Sequence, residues 1–287
     1  VAVNRRLSAA LVFLVSVVAL EAMSVAPVLP VIKAELGGLA WYGWAFAAFS
    51  LSQILAIPLT GRWVDRMNPA APLAGGIASF VAGLVVASAA QSMPMLIGGR
   101  VLQGFGAGVI PAVAYVCVGR GFPESDRPRV FALMSTAWIV PSVVGPTAAA
   151  FVTKHLGWRW VFGGLVPITI VAGGFAISVV RSLGGSEPAE PQAGGMSGAV
   201  VLVIGTVGLV AGTQQAQPAL AVPLAVAGVL VAGAAFTRLT PAGTITASPG
   251  LPAAVALRGL LTCAFFAADA FVPLTMQEVR GTGPEYA

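Results

Sequence analysis

Of the 287 residues in this chain, 57% are hydrophobic and only 9% are charged, against roughly a quarter charged in soluble domains. With a mean hydropathy of +0.92, this balance excludes a water-soluble globular fold. The formal charge of +5 sits in short loops between apolar runs, so it reports membrane orientation and not a nucleic-acid partner.

A spanning helix needs about 20 apolar residues, and nine runs meet that length: 7–32, 41–60, 72–90, 95–118, 130–153, 160–180, 197–214, 219–237 and 253–277. The first follows Arg5 and Arg6 but is too long for a signal-peptide core of about 7–15 residues, and no small-x-small cleavage site ends it. It reads as a retained span. Gly37-Gly38, Asn68-Pro69, Ser92-Met93-Pro94 and the stretch from Pro123 to Pro128 supply the breaks. Cys117 and Cys263 both fall inside apolar runs and behave as small hydrophobes, with no metal-ligand spacing.

Lysine and arginine set the orientation. With the N-terminus inside, the inner loops hold Arg5, Arg6, Arg62, Arg66, Arg120, Arg127, Arg129, Arg181, Arg238 and Arg258; the outer loops hold Lys33, Lys154, Arg159 and Arg280. Ten against four predicts a cytoplasmic N-terminus in a multi-pass protein of the cell membrane. The Gly-, Pro- and Glu-rich stretch "LGGSEPAEPQAGG" reads as a flexible connection. It divides the chain into a six-helix N-terminal bundle (1–182), a cytoplasmic linker (183–196), an inserted two-helix hairpin (197–237), a cytoplasmic loop (238–252) and a last helix (253–287). Nine spans is an odd number for a transporter built from repeated halves, so the chain is expected to be a fragment whose last helix opens an incomplete C-terminal bundle.

Arg100 lies inside an apolar span, where an ionisable side chain is expensive and asks for a partner and a purpose. Gln103 follows one turn later on the same face. Gly104 and Gly108 form a small-xxx-small pair suited to close helix packing. Glu21 and Asp269 are the carboxylates placed deep in spans. At 1.5 Å per residue, Glu21 lies roughly 13 Å below the outer end of its helix, Arg100 roughly 9 Å and Asp269 roughly 12 Å. All three share one layer, and at least one acid is expected to carry a proton beside the arginine. Pro141, Gly145 and Pro146 are expected to interrupt the fifth helix. Trp158 and Trp160, beside Arg159, read as aromatic anchors at the outer interface, and His155 alone makes no metal site.

Five stretches resemble the drug:proton antiporters of the major facilitator superfamily, and more narrowly its fourteen-spanner group. "LEAMSVAPVLP" (20–30) is similar to the helix-1 signature, with Glu21 at the acidic position and Met23 and Ala26 in place of Thr and Asn. "GRWVDRMNPAA" (61–71) resembles the loop between helices 2 and 3 through Gly61, Asp65 and Arg66, without the usual Gly-Arg-Arg ending. "RVLQGFGAG" (100–108) matches the helix-4 motif in full. "PSVVGPTAA" resembles the helix-5 antiporter motif through Gly145 and Pro146, although Pro141, Ala149 and Ala150 replace glycines. "GWRWVFGGLVP" (157–167) is similar to the opening of helix 6, and the extra hairpin favours fourteen spans over twelve.

The resemblance implies an all-α polytopic membrane protein of the superfamily's N-terminal six-helix type, with two extra helices and the first helix of a truncated C-terminal bundle. It implies a cavity around Glu21, Arg100, Gln103 and Asp269, and a latch at Gly61, Asp65 and Arg66 that holds the outward-facing state. A carboxylate at a helix N-terminus, stabilised by about 0.3–1 kcal/mol, would suit such a breakable latch. It implies a bend at Pro141, Gly145 and Pro146 that seals the cavity against proton leak.

The expected activity is export of a small lipophilic or cationic molecule in exchange for protons by alternating access. The expected partners are that substrate, protons and the lipid bilayer; no cofactor, metal or nucleic acid is implied, and no residue pattern specifies an oligomeric state. A symporter or uniporter on the same fold stays open, as does a truncated protein that does not transport. An enzyme is not expected: there is no His/Glu metal pair and no nucleophile with a base, and "GFGAG" lies within an apolar span, not after a strand.

Overall fold

The computed structural model describes residues 2–38, 41–183, 195–215 and 217–280. Every regular element among them is helical, in the order α1 (Ala2–Leu36), α2 (Tyr42–Val64), α3 (Ala70–Ser88), α4 (Met93–Gly121), α5 (Arg127–Leu156), α6 (Arg159–Gly163), α7 (Leu165–Val180), α8 (Gly195–Thr213), α9 (Pro218–Leu239) and α10 (Leu251–Arg280). Nine stretches of these residues are long and apolar enough to cross a membrane, with α6 and α7 in one of them. The linker expected at 183–196 lies almost wholly outside the described residues.

The structure corrects two expectations about helix continuity. The sixth span is two helices meeting at Gly164. Pro167 lacks the N–H that would bond the Gly163 carbonyl, so the ladder skips there, while Gly164 keeps helical angles (φ −66, ψ −24). The fifth helix, by contrast, is not interrupted: α5 runs unbroken through Pro141, Gly145 and Pro146. Nor do Pro27 and Pro30 stop α1. A proline removes one ladder bond, and membrane helices tolerate that when neighbouring helices enclose the freed carbonyl. Glycine does end α5, where Gly157 takes φ +93 and its N–H reaches the Val152 and Thr153 carbonyls.

The chain divides into two compact units, Val1–Pro191 with Met276–Ala287, and Gln192–Thr275. In the first, α1 packs on α5, α7 and α4, and α4 lies between α2 and α3. Apolar nearly all round, α1 is the most enclosed of the spans. Small residues let α4 approach both neighbours. A Cβ at Gly83 of α3 would sit 2.6 Å from the Gln103 backbone nitrogen, and one at Gly104 only 2.1 Å from the Phe49 carbonyl oxygen of α2. In the second unit α8 and α9 pair by the same means, with Gly228 against the Leu209 backbone and Gly205 against Ala232. None of Leu251–Ala268 on α10 is buried.

Candidate functional site

The deepest polar cluster among the described residues is centred on Arg100. Its side chain is 3% exposed, and those of Glu21 and Gln103 are 0% exposed. Arg100 Nη1 donates to Glu21 Oε1 across from α1 and to Gln103 Oε1 at 2.9 Å on its own helix. Arg100 Nε donates to the Ala45 carbonyl at 3.2 Å, and the guanidinium carbon lies 4.2 Å from the centroid of the Phe49 ring. Both of those groups belong to α2. One cation therefore joins three helices.

Removing a lone charge from water costs several kcal/mol. Here the guanidinium is offset by a carboxylate, two neutral acceptors and an aromatic face, all of which stabilise a cation. Two polar atoms of the cluster stay unused: Glu21 Oε2 and Gln103 Nε2 are buried with no hydrogen-bond partner. A buried acceptor and a buried donor are thus left unpaired, which is costly for polar groups.

The packing explains how the chain brings these groups together. Gly104 lies one turn beyond Arg100, and its missing side chain lets the α2 backbone rest on α4 at Phe49. That contact sets Phe49, and Ala45 one turn before it, beside the arginine. On the other flank of α1, Gly145 of α5 meets Met23, where an added Cβ would be 3.1 Å from Met23 Cβ. The Ser24 hydroxyl bonds the Leu20 carbonyl at 2.6 Å and reaches the Gly145 carbonyl at 3.4 Å. Pro141 and Gly145 lie on the buried face of α5, and Pro146 is half-buried. Gly108 packs against Gln53 and Ala56 of α2. The Asp269 side chain lies outside the described residues.

Gly61 does not lie in a loop; it belongs to the last turn of α2 and is exposed. Asp65 caps the C-terminal end of that helix. The stabilisation expected of a helix N-terminus therefore does not come from α2, whose macrodipole is negative at this end. Arg66 is exposed, and its backbone N–H bonds the Trp63 carbonyl. The segment is tied down by its neighbours: Arg120 Nη2 donates to the Val64 carbonyl at 3.1 Å, and Asn68 Nδ2 to the Arg181 carbonyl at 3.3 Å.

A second polar cluster was not legible in the sequence. Glu35, at the end of α1, accepts from Trp158 Nε1 at 2.8 Å and from Arg159 Nη1 at 2.6 Å. Arg159 Nη2 also donates to the Ala90 carbonyl at 3.1 Å, and its guanidinium lies over the Trp158 ring. Trp158 is 2% exposed and so belongs to the bundle interior, while Trp160 is 59% exposed. The aromatic-anchor reading is therefore corrected for Trp158. The signal that could have found this cluster is the carboxylate of Glu35, on the same side of the predicted bundle as a loop that carries a cation and two indoles.

Comparison with known proteins decides the family. The family model described as Major Facilitator Superfamily matches residues 11–286. The chain belongs to the major facilitator superfamily. An uncharacterized MFS-type transporter of Mycobacterium tuberculosis is 30% identical over 205 residues, covering 71% of this superfamily member and 29% of the relative. The multidrug transporter protein MdtP of Bacillus subtilis is 27% identical over 175 residues, covering 61% of this chain and 32% of its own length. The chain thus spans about a third or less of the curated relatives it matches. The crystal structure of a D-xylose-proton symporter shares the fold at a TM-score of 0.55 and 11% identity, over 85% of this chain and 68% of that one.

Proposed function

We propose that this chain supplies the proton- and substrate-handling bundle of a secondary transporter. The transporter exports small lipophilic or cationic molecules across the cell membrane in exchange for protons, by alternating access. The observation that carries the reading is the buried Glu21–Arg100 pair with one carboxylate oxygen unused. Multidrug transporters among the relatives of this superfamily member favour export of drug-like molecules.

In the proposed cycle Glu21 Oε1 stays on Arg100 while Oε2 receives the proton. Protonation cancels the carboxylate charge and leaves the guanidinium held by Gln103, the Ala45 carbonyl and the Phe49 ring. A cationic substrate and a proton then compete for one negative charge, which is the minimal requirement for exchange. Asp269 is the second carboxylate of the same proposal. The arginine-rich helix ends, including Arg120, Arg127 and Arg181, face the cytoplasm. The segment with Gly61, Asp65 and Arg66 there forms the latch, and the Pro141–Pro146 stretch of α5 seals the bundle against leak.

Ethidium uptake into inverted vesicles containing the full-length protein tests this reading. Uptake is expected when the vesicle interior is acidified and to collapse when nigericin dissipates the gradient. Glu21→Gln is expected to lower it by about tenfold or more. Uptake indifferent to the gradient, or a Glu21→Gln variant at the wild-type rate, contradicts the proposal. Uptake driven only by the reversed gradient assigns symport instead.

A further inference from the structure

None of the residues that the sequence assigns to the charge site lies on α2, yet two of the groups that hold Arg100 come from that helix. We infer that Phe49 is a positioning residue for this site: its ring face, with the Ala45 carbonyl one turn before it, fixes the guanidinium plane so that Nη1 stays on Glu21 and Gln103.

Three observations carry this. First, the guanidinium carbon stands 4.2 Å from the ring centroid, well inside the roughly 6 Å at which a cation is attracted by an aromatic face. Second, the ring lies over the guanidinium carbon and takes none of its N–H groups, which point outward in the guanidinium plane and stay free for hydrogen bonds. Those groups make the three bonds seen, from Nε to Ala45 and from Nη1 to Glu21 and Gln103. Third, the Phe49 backbone that carries the ring is held against α4. Phe49 is buried, and its backbone rests on Gly104 at a distance that admits no side chain.

Arginine has a long, flexible stem, and a planar fork keeps its specificity only when its plane is held. When Glu21 is neutralised in the proposed cycle, Phe49 and Ala45 retain the guanidinium in place. The charged pair then re-forms on deprotonation without a search. For its consequence in transport the inference rests on the antiport reading; for its spectroscopic consequence it rests on the geometry alone.

The test uses full-length protein labelled with ¹⁵N-arginine, in which the Arg100 Nε–H signal is assigned by its loss in Arg100→Lys. In the wild type that signal is expected to be displaced by the Phe49 ring current and protected from solvent exchange. Phe49→Leu is expected to remove the displacement and to speed exchange and cut ethidium uptake, each by about tenfold. Phe49→Tyr keeps the ring and is expected to restore all three, with both variants still unfolding cooperatively on heating. A wild-type signal without ring-current displacement overturns the inference, and so does a folded Phe49→Leu variant with unchanged exchange. If Phe49→Leu does not fold, Phe49→Trp decides: its larger ring must increase the displacement, and an unchanged signal overturns the assignment. Absence of ethidium uptake by the wild type would count against antiport, while the resonance still judges Phe49.

Discussion

Arg100→Met is expected to destabilise the α1–α7 bundle by roughly 3–5 kcal/mol, since it strands the Glu21 carboxylate in a site where, among the described residues, no other cation is paired with it. In thermal unfolding of purified protein this corresponds to a fall of roughly 10 °C. Methionine keeps most of the stem volume, so little of the loss comes from a cavity. The double variant Arg100→Met/Glu21→Gln is expected to recover much of the stability, because removing both charges leaves no unpaired ion behind. Non-additivity in this cycle separates an ion pair from two independent packing residues. A double-variant loss equal to the sum of the two single losses would show that the pair contributes nothing as a pair.

Gly104→Val is expected to be nearly as damaging, by a different route. The first added carbon would lie 2.1 Å from the Phe49 carbonyl oxygen and 2.8 Å from its carbonyl carbon and Cα. Those atoms are helix backbone and cannot rotate away, so α2 must retreat from α4 by roughly 1 Å. Overpacking of this kind costs about 1–3 kcal/mol or more. The retreat would also withdraw the Ala45 carbonyl and the Phe49 ring from Arg100, so the site loosens with the helix pair. Gly98→Val is the control on the same helix: its Cβ meets nothing within 4 Å. Unfolding temperature and ethidium uptake are expected to fall together for Gly104→Val and to hold for Gly98→Val.

The extent of the fold was legible because apolar run length is a direct consequence of bilayer thickness. Each of the nine predicted runs lies on a helix or, for the sixth, on a broken pair. The shared depth of Glu21 and Arg100 was legible because rise per residue converts sequence position to depth, but which of the two deep acids faces the arginine was not. Nor were the α2 contributions. A backbone carbonyl carries no sequence signal, and Phe49 is one of several aromatic residues on α2 until Gly104 selects which turn touches α4. Proline misled the reading of α5, since the sequence shows the bond removed at Pro141 and Pro146 but not the packing against α1 that holds the helix together. Glu35 was overlooked because its partners, Trp158 and Arg159, lie more than a hundred residues away, and each has a sufficient local explanation.

If Glu21 carries the proton, its protonated carboxyl group beside Arg100 gives that proton up when substrate binds. Proton release on adding ethidium to unbuffered, detergent-purified full-length protein measures this directly, with a pH-sensitive dye as the readout. The account predicts release from the wild type and none from Glu21→Gln. Undiminished release from Glu21→Gln, with ethidium still bound, would contradict it.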